Sequence, residues 1–320
     1  MNLTYSLVQT DYIVTVASWE ERFLRGMSDL LREVNPKIIV MFFYKDKEFA
    51  QWSAQNRENL KSNCKRLGIE VIEHELTFAS PSDAWRIIGS SLADIPMNPG
   101  DVTLDISTMP REAIWSICHV LRSKQASLQY TYHRPEKYGD WLSRDPGRPR
   151  IVYKQGGIQH LGRLTALVIQ TGYDVERSKQ LVRFFEPAKL YLGLQTGEQY
   201  GNIEQNKNKH LSAFTRHGDM TSFDTDGYSL AGTVDSLKKH VAPLTEEYNV
   251  VIASLGPKVS ALGLYVFKMS HASVALCYAP SNDVNRAYST GYQDRLAGYL
   301  AMDTVGILDK NSPERLSKQE

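Results

Sequence analysis

The chain alternates between short apolar runs and longer segments whose apolar residues recur every three or four positions. Residues 11–18 (DYIVTVAS) are β-rich and of strand length. Segment 19–34 sets Phe23, Leu24, Met27, Leu30, Leu31 and Val34 at helical spacing, and Pro36 follows as a stop. Residues 37–44 (KIIVMFFY) are almost continuously apolar, the pattern of a strand buried on both faces of a parallel sheet. A polar helix over 48–68 ends at Gly68, a residue suited to a left-handed C-cap. A strand at 69–78, a helix from Ser80 to about Leu92, a strand at 102–106, a helix after Pro110 and a strand at 126–133 complete the first half. This alternation predicts βαβ crossovers and a parallel, doubly wound sheet.

The order then repeats. Strands are predicted at 165–172, 188–195, 249–256 and 272–280, and helices at 173–185, over most of 229–248, and from Pro257 to about Met269. The stretch 196–228 is long, polar and rich in Asn and Gly, and is expected to be a loop, either a lid over a strand-end site or a disordered segment. The halves can be laid over each other: Glu21-Arg22 on Glu176-Arg177, Pro36 on Pro187, Pro110 on Pro257, and Arg111 on Lys258. The expected fold class is α/β, with two tandem Rossmann-like, doubly wound, mainly parallel sheets in a pseudo-two-fold arrangement. The expected domains are 1–155 and 156–320, with Gly156-Gly157 as linker and a solvated C-terminal tail.

In an open doubly wound sheet, ligands bind beyond the carboxyl ends of the strands, where the strand order reverses. With order 3-2-1-4-5, that point lies between the first and fourth strands. The residues there are Ser18, Trp19 and Arg22, then Ser107, Thr108 and Arg111, in the first half. In the second they are Thr171, Gly172, Tyr173 and Arg177, then Gly256 and Lys258. Helix N-termini offer free N–H groups and a partial positive charge, and hydroxyls with an Arg or Lys add donors. These turns are therefore candidate sites for a phosphate or carboxylate, one per half. The same Ser, Thr and Pro residues also suit plain helix capping. Trp19 and Tyr173 are candidates to stack on a base. Asp105, on the strand before the turn, suits a ribose hydroxyl or a buried structural role. Segment 282–295, with Arg286, Tyr288, Ser289 and Gly291, is expected to reach a ligand at the second-half site.

Composition narrows the classes. Net charge is +1 over 320 residues, which argues against wholesale duplex nucleic-acid or membrane binding. The apolar runs are strand-length, short of the roughly 20 residues of a membrane span. The N-terminus lacks the basic start and apolar stretch of a signal peptide. Cys64, Cys118 and Cys277 lie far apart, against both a disulfide framework and a CxxC zinc site, so a reduced cytoplasm is expected. The signatures GxxxxGK[ST], GxGxxG, GxSxG and HExxH do not occur. No metal, cofactor or catalytic residue is assigned.

Residues 102–121 (VTLDISTMPREAIWSICHVL), followed by LQYTYH at 128–133, carry a resemblance. The first half, roughly 11–135, resembles the CRISPR-associated Rossmann-fold (CARF) sensor domains. The likeness lies in a fourth strand bearing an aspartate, a hydroxyl turn, a basic residue and a helix, then a strand ending in Tyr. Met109-Pro110 stand where the family's turn carries a glycine, and no effector domain of the usual kind follows. The resemblance implies binding of a cyclic oligonucleotide between two copies, here both within one chain. The expected function is sensing of a nucleotide-type anion with signalling to a protein partner in prokaryotic defence. A homo-oligomer is compatible with it. The alternatives are a phosphodiesterase or nucleotide hydrolase working through Ser107, Thr108 or Lys258, and a non-catalytic scaffold subunit. Missing nucleophile–base pairs favour binding over catalysis, and the paired basic positions disfavour the scaffold.

Overall fold

The structure, a computed structural model, describes residues 6–93, 101–123, 127–196 and 203–301. The first half runs β1 (Tyr12–Val16), α1 (Glu21–Val34), β2 (Ile38–Tyr44), α2 (Lys47–Leu67), β3 (Glu70–Leu76), α3 (Pro81–Ala93), β4 (Val102–Asp105), α4 (Arg111–Arg122) and β5 (Ser127–His133). Three short strands follow: β6 (Lys137–Tyr138), β7 (Ser143–Pro146) and β8 (Arg150–Ile151). The second half repeats the series as β9 (Thr165–Gln170), α5 (Val175–Phe185), β10 (Lys189–Gln195), α6 (Ile203–Ala213), β11 (Met220–Thr225), α7 (Leu230–His240), β12 (Asn249–Ser254), α8 (Lys258–Ser270) and β13 (Ala275–Tyr278). It too ends in three strands, β14 (Ser281–Val284), β15 (Ser289–Thr290) and β16 (Arg295–Ala301).

Apolar periodicity explains the main elements. In α1 the buried face is Phe23, Met27, Leu30, Leu31 and Val34, and Asn35 ends the helix in the left-handed region at φ 50°. The αL cap places its N–H on the Leu31 carbonyl. All five residues of β1 are buried, as a central parallel strand requires. Gly68 caps α2 at φ +70°, and Glu186 ends α5 just before Pro187.

The two sheets have orders β16-β5-β4-β1-β2-β3 and β8-β13-β12-β9-β10-β11, identical element for element. Each is parallel except for the added edge strand beside β5 or β13. Those edge strands are exchanged. β16, from the end of the chain, pairs with β5 of the first sheet, while β8 pairs with β13 of the second. The remaining short strands also pair across the halves, β7 with β14 and β6 with β15. Each half thus sends a three-strand arm onto the other, and the division at 155/156 does not follow the sheets.

The segment 196–228 departs from its expected looped form. Ile203–Ala213 is helical, and Met220–Thr225 is a strand parallel to β10. As an edge strand it buries only Phe223 and Thr225, so its polar sequence conceals it. Residues 302–320, with the expected tail, lie outside the described residues.

Helices α4 and α8 pack against each other at the centre. Trp115, fully buried in α4, donates Nε1–H to the Ala261 carbonyl of α8 at 2.8 Å. One hydrophobic core therefore spans both halves, from Val14 and Leu104 to Val168 and Phe267. This packing fixes the carboxyl ends of both sheets relative to one another.

Candidate functional site

A cavity of about 550 Å³ lies where these strand ends meet. That is within the range of about 300–1,000 Å³ usual for small-molecule sites. Arg22, Arg111, Arg177 and Lys258 all line it, so the candidate cations of both halves converge on one site instead of two. The arm strands close it from outside with Tyr138, Ser143, Asn282 and Tyr288. Tyr132 and Tyr278, near or at the ends of β5 and β13, and Tyr173 add further aromatic surface.

Two cations cross between the halves. Arg111, at the start of α4, donates Nη2–H to the Gly256 carbonyl and Nε–H to Ser254 Oγ at 3.3 Å. Lys258, at the start of α8, donates to the Ser107 carbonyl at 2.7 Å. Burial, and then the Arg177 charge, lower the Arg111 guanidinium to about 10, so it stays protonated at neutral pH. Burial, and then Arg22, push the Lys258 ammonium well below the ordinary lysine value, against the pull of Glu20. Arg22 and Arg111 thus act against the Lys258 charge, and Arg177 against that of Arg111, so the cavity wall concentrates positive charge.

The pair at the start of the first helix of each half is unequal. Arg22 is buried and donates from each of its three nitrogens, with Nε–H to Glu20 at 2.7 Å, Nη1–H to the His133 carbonyl at 2.9 Å and Nη2–H to Tyr288 Oη at 3.2 Å. Burial alone would raise the Glu20 carboxyl, but Arg22 and then Lys258 outweigh it and hold Glu20 below its usual range. Arg177 donates only Nη2–H, to the Ala279 carbonyl, and its Nε has no hydrogen-bond partner.

Several expected site residues lie off the cavity wall. Ser18 hydrogen-bonds Glu20, and Thr171 donates to the Gly193 carbonyl at 2.9 Å, both being structural turn contacts. Trp19 is not a stacking platform. Its Nε1–H goes to the Arg286 carbonyl at 2.7 Å, and its ring packs against Phe49 and Trp52. Ser107 is sealed, bonded to Asp105 and within 2.9 Å of His133 Nδ1. Thr108 borders the cavity but spends its hydroxyl on the Val16 carbonyl at 2.7 Å. Ser107, by contrast, is set back from the cavity wall. Asp105 is fully buried, accepting from Ser107 and from Thr15 at 3.2 Å, which makes it structural.

Gly172, Tyr173 and Gly256 do line the cavity. Both glycines are also required by packing: a Cβ on Gly172 would run into the Leu255 carbonyl, and one on Gly256 would lie 2.8 Å from the Thr171 carbonyl. Segment 282–295 reaches the opposite end from the one expected. Tyr288 and Ser289 each donate at 2.5 Å to Glu20, a residue of the first half. The exchanged arms are the reason. Glu20, Tyr138 and Tyr278 had no local signal tying them to a site, and Tyr288, expected at the other end, is carried to Glu20 by the chain crossing.

Among the described residues, no group of three or more His, Cys, Asp or Glu side chains is placed to hold a metal ion. None of the described helices is long and apolar enough to cross a membrane. No protein-family model matches the chain, and no curated protein matches it.

Proposed function

We propose that the cavity between the halves binds a nucleotide-type anion. One observation carries this: Arg111 and Arg177, one from each half, line the same cavity with side-chain hydrogen bonds to backbone carbonyls and Ser254 alone. Buried cations without a counter-charge are costly, and a bound phosphate relieves that cost. Charge-assisted bonds to the two guanidiniums contribute about 1.5–3 kcal/mol each. Stacking on the cavity tyrosines adds to this, and together they support roughly micromolar affinity, near 8 kcal/mol.

The matched strand orders and exchanged arms support an origin of the two halves by internal duplication. The arms that close the cavity also touch both halves, so occupancy acts on both at once. In this proposal the bound nucleotide is a signal read by a partner protein, in keeping with the resemblance to sensor domains of prokaryotic defence. Ligand turnover is the lesser reading, because Ser107 is fully buried off the cavity wall and Thr108 donates its hydroxyl to a backbone carbonyl, which leaves Lys258 as the one residue of that reading free to face a ligand.

The test is calorimetric titration with mononucleotides and cyclic oligonucleotides at one fixed salt concentration, with chromatography of the same samples. Binding of at least one, with the ligand recovered intact, is the expected result. Failure of every nucleotide to bind wild-type protein overturns the proposal, and recovery of cleaved product replaces it with an enzymatic one.

A further inference from the structure

The two ends of the cavity are built alike but charged differently. At each, an arginine from the helix after the first strand lies against a tyrosine of the fifth: Arg22 is 5.6 Å from the Tyr132 ring centre and Arg177 is 5.9 Å from that of Tyr278. Each end also receives one cation from the other half, Lys258 at the Ser107 carbonyl and Arg111 at the Gly256 carbonyl.

Only at the first end does the arginine form an ion pair with a carboxylate. Glu20 sits against Arg22 at 2.7 Å with both side chains 2% exposed, and Tyr288 and Ser289 hydrogen-bond to the same carboxylate. At the other end, Val175 stands two residues before Arg177. Asp174, which lines the cavity beside it, makes no ion pair with the Arg177 guanidinium: it accepts the Arg177 backbone N–H at 3.1 Å on one oxygen and the Ser143 hydroxyl at 2.8 Å on the other. The Arg177 side chain is more than nine-tenths buried, and its Nε is left without a hydrogen-bond partner. A phosphate placed here completes Arg177 and separates two guanidiniums that repel each other. A phosphate at the first end is repelled by the nearby Glu20 carboxylate and finds an arginine that already donates from each of its three nitrogens.

Resting on the nucleotide-binding proposal above, we propose that the ligand binds in a single orientation. Its one anionic group lies between Arg111 and Arg177, and its uncharged part points toward Arg22, Glu20 and Tyr288. The ligand class is then a nucleoside monophosphate or similar phosphomonoester with one charged end, not a two-fold symmetric cyclic dinucleotide.

The experiment titrates the four common ribonucleoside 5′-monophosphates, their nucleosides, and cyclic diadenosine and diguanosine monophosphates into wild type, Arg177→Gln and Tyr288→Phe. A monophosphate is expected to bind wild type at least tenfold more tightly than its nucleoside or either cyclic dinucleotide. Arg177→Gln is expected to bring the monophosphate down to the level of its nucleoside and leave the nucleoside unchanged. Tyr288→Phe is expected to weaken both by the same factor. Preferential binding of a cyclic dinucleotide, or equal loss of monophosphate and nucleoside in Arg177→Gln, overturns the orientation and leaves nucleotide binding standing. Binding of none of these probes to wild type overturns both. Circular dichroism and a melting curve confirm that each variant is folded before titration.

Discussion

The Lys258 ammonium donates a hydrogen bond to the Ser107 carbonyl at 2.7 Å, reaching from the second half to the turn after β4 of the first. Arg111 makes the reciprocal contact with Gly256. These crossed cations hold the two strand-end turns together and line the cavity between them.

Lys258 makes stability pH-dependent in a definite direction. Burial, then Arg22, depress its folded pKa well below that of the unfolded chain, which is near 10.5. Between those values the unfolded chain holds more protons, so stability rises with pH across that window. Urea midpoints measured through it are expected to show a shallower rise in Lys258→Met than in wild type. An unchanged slope contradicts the assignment.

Glu20 acts at the acid end. Its folded pKa lies below the ordinary 4.5, so its contribution is complete above that value and is lost as pH falls through the folded one. Glu20→Gln leaves the buried Arg22 without its counter-charge and is expected to cost about 3–5 kcal/mol at neutral pH. It should also flatten the acid limb of a stability–pH curve. Chemical denaturation measures both effects.

Trp115 ties the halves through the core. Trp115→Ala opens a large cavity between α4 and α8 and is expected to cost about 3–5 kcal/mol. Trp115→Phe keeps much of the packing but leaves the Ala261 carbonyl short of a donor, at a further cost of about 1 kcal/mol from the lost bond. Because one core spans both halves, each variant should unfold in a single transition. Two resolved transitions would show that the halves unfold independently.

Arg177 is expected to serve the ligand at the expense of the empty protein. It is buried beside Arg111, and each guanidinium opposes the charge of the other. Arg177→Met removes that repulsion and keeps the apolar stem against Tyr278, so the ligand-free melting temperature is expected to stay level or rise while monophosphate binding falls to the level of the nucleoside. A fall of several degrees makes Arg177 a structural residue.

The repeated fold was legible in the sequence because it rests on buried apolar strands and capped helices, which leave local periodicities. β11 was not, since an edge strand that buries only two residues is polar along its length. The placement of Arg22, Arg111, Arg177 and Lys258 at strand ends followed from strand–turn–helix order. Their convergence on one cavity did not, because it depends on α4 packing against α8. The partners of Glu20 were equally hidden: Tyr288 and Ser289 lie more than 260 positions away in the chain and arrive through the exchanged arm. Trp19 misled because an aromatic at a helix start packs on Phe49 and Trp52 as readily as on a base.

The most direct test is a double-mutant cycle across the cavity. The tightest-binding ribonucleotide is titrated into wild type, Arg111→Ala, Arg177→Ala and the double variant at one salt concentration. If both guanidiniums hold the same anion, each single change weakens binding at least tenfold, and the double loses less than the sum, with a coupling of about 0.5–3 kcal/mol. Additive losses, or a single variant that binds as wild type does, would contradict a site shared between the halves.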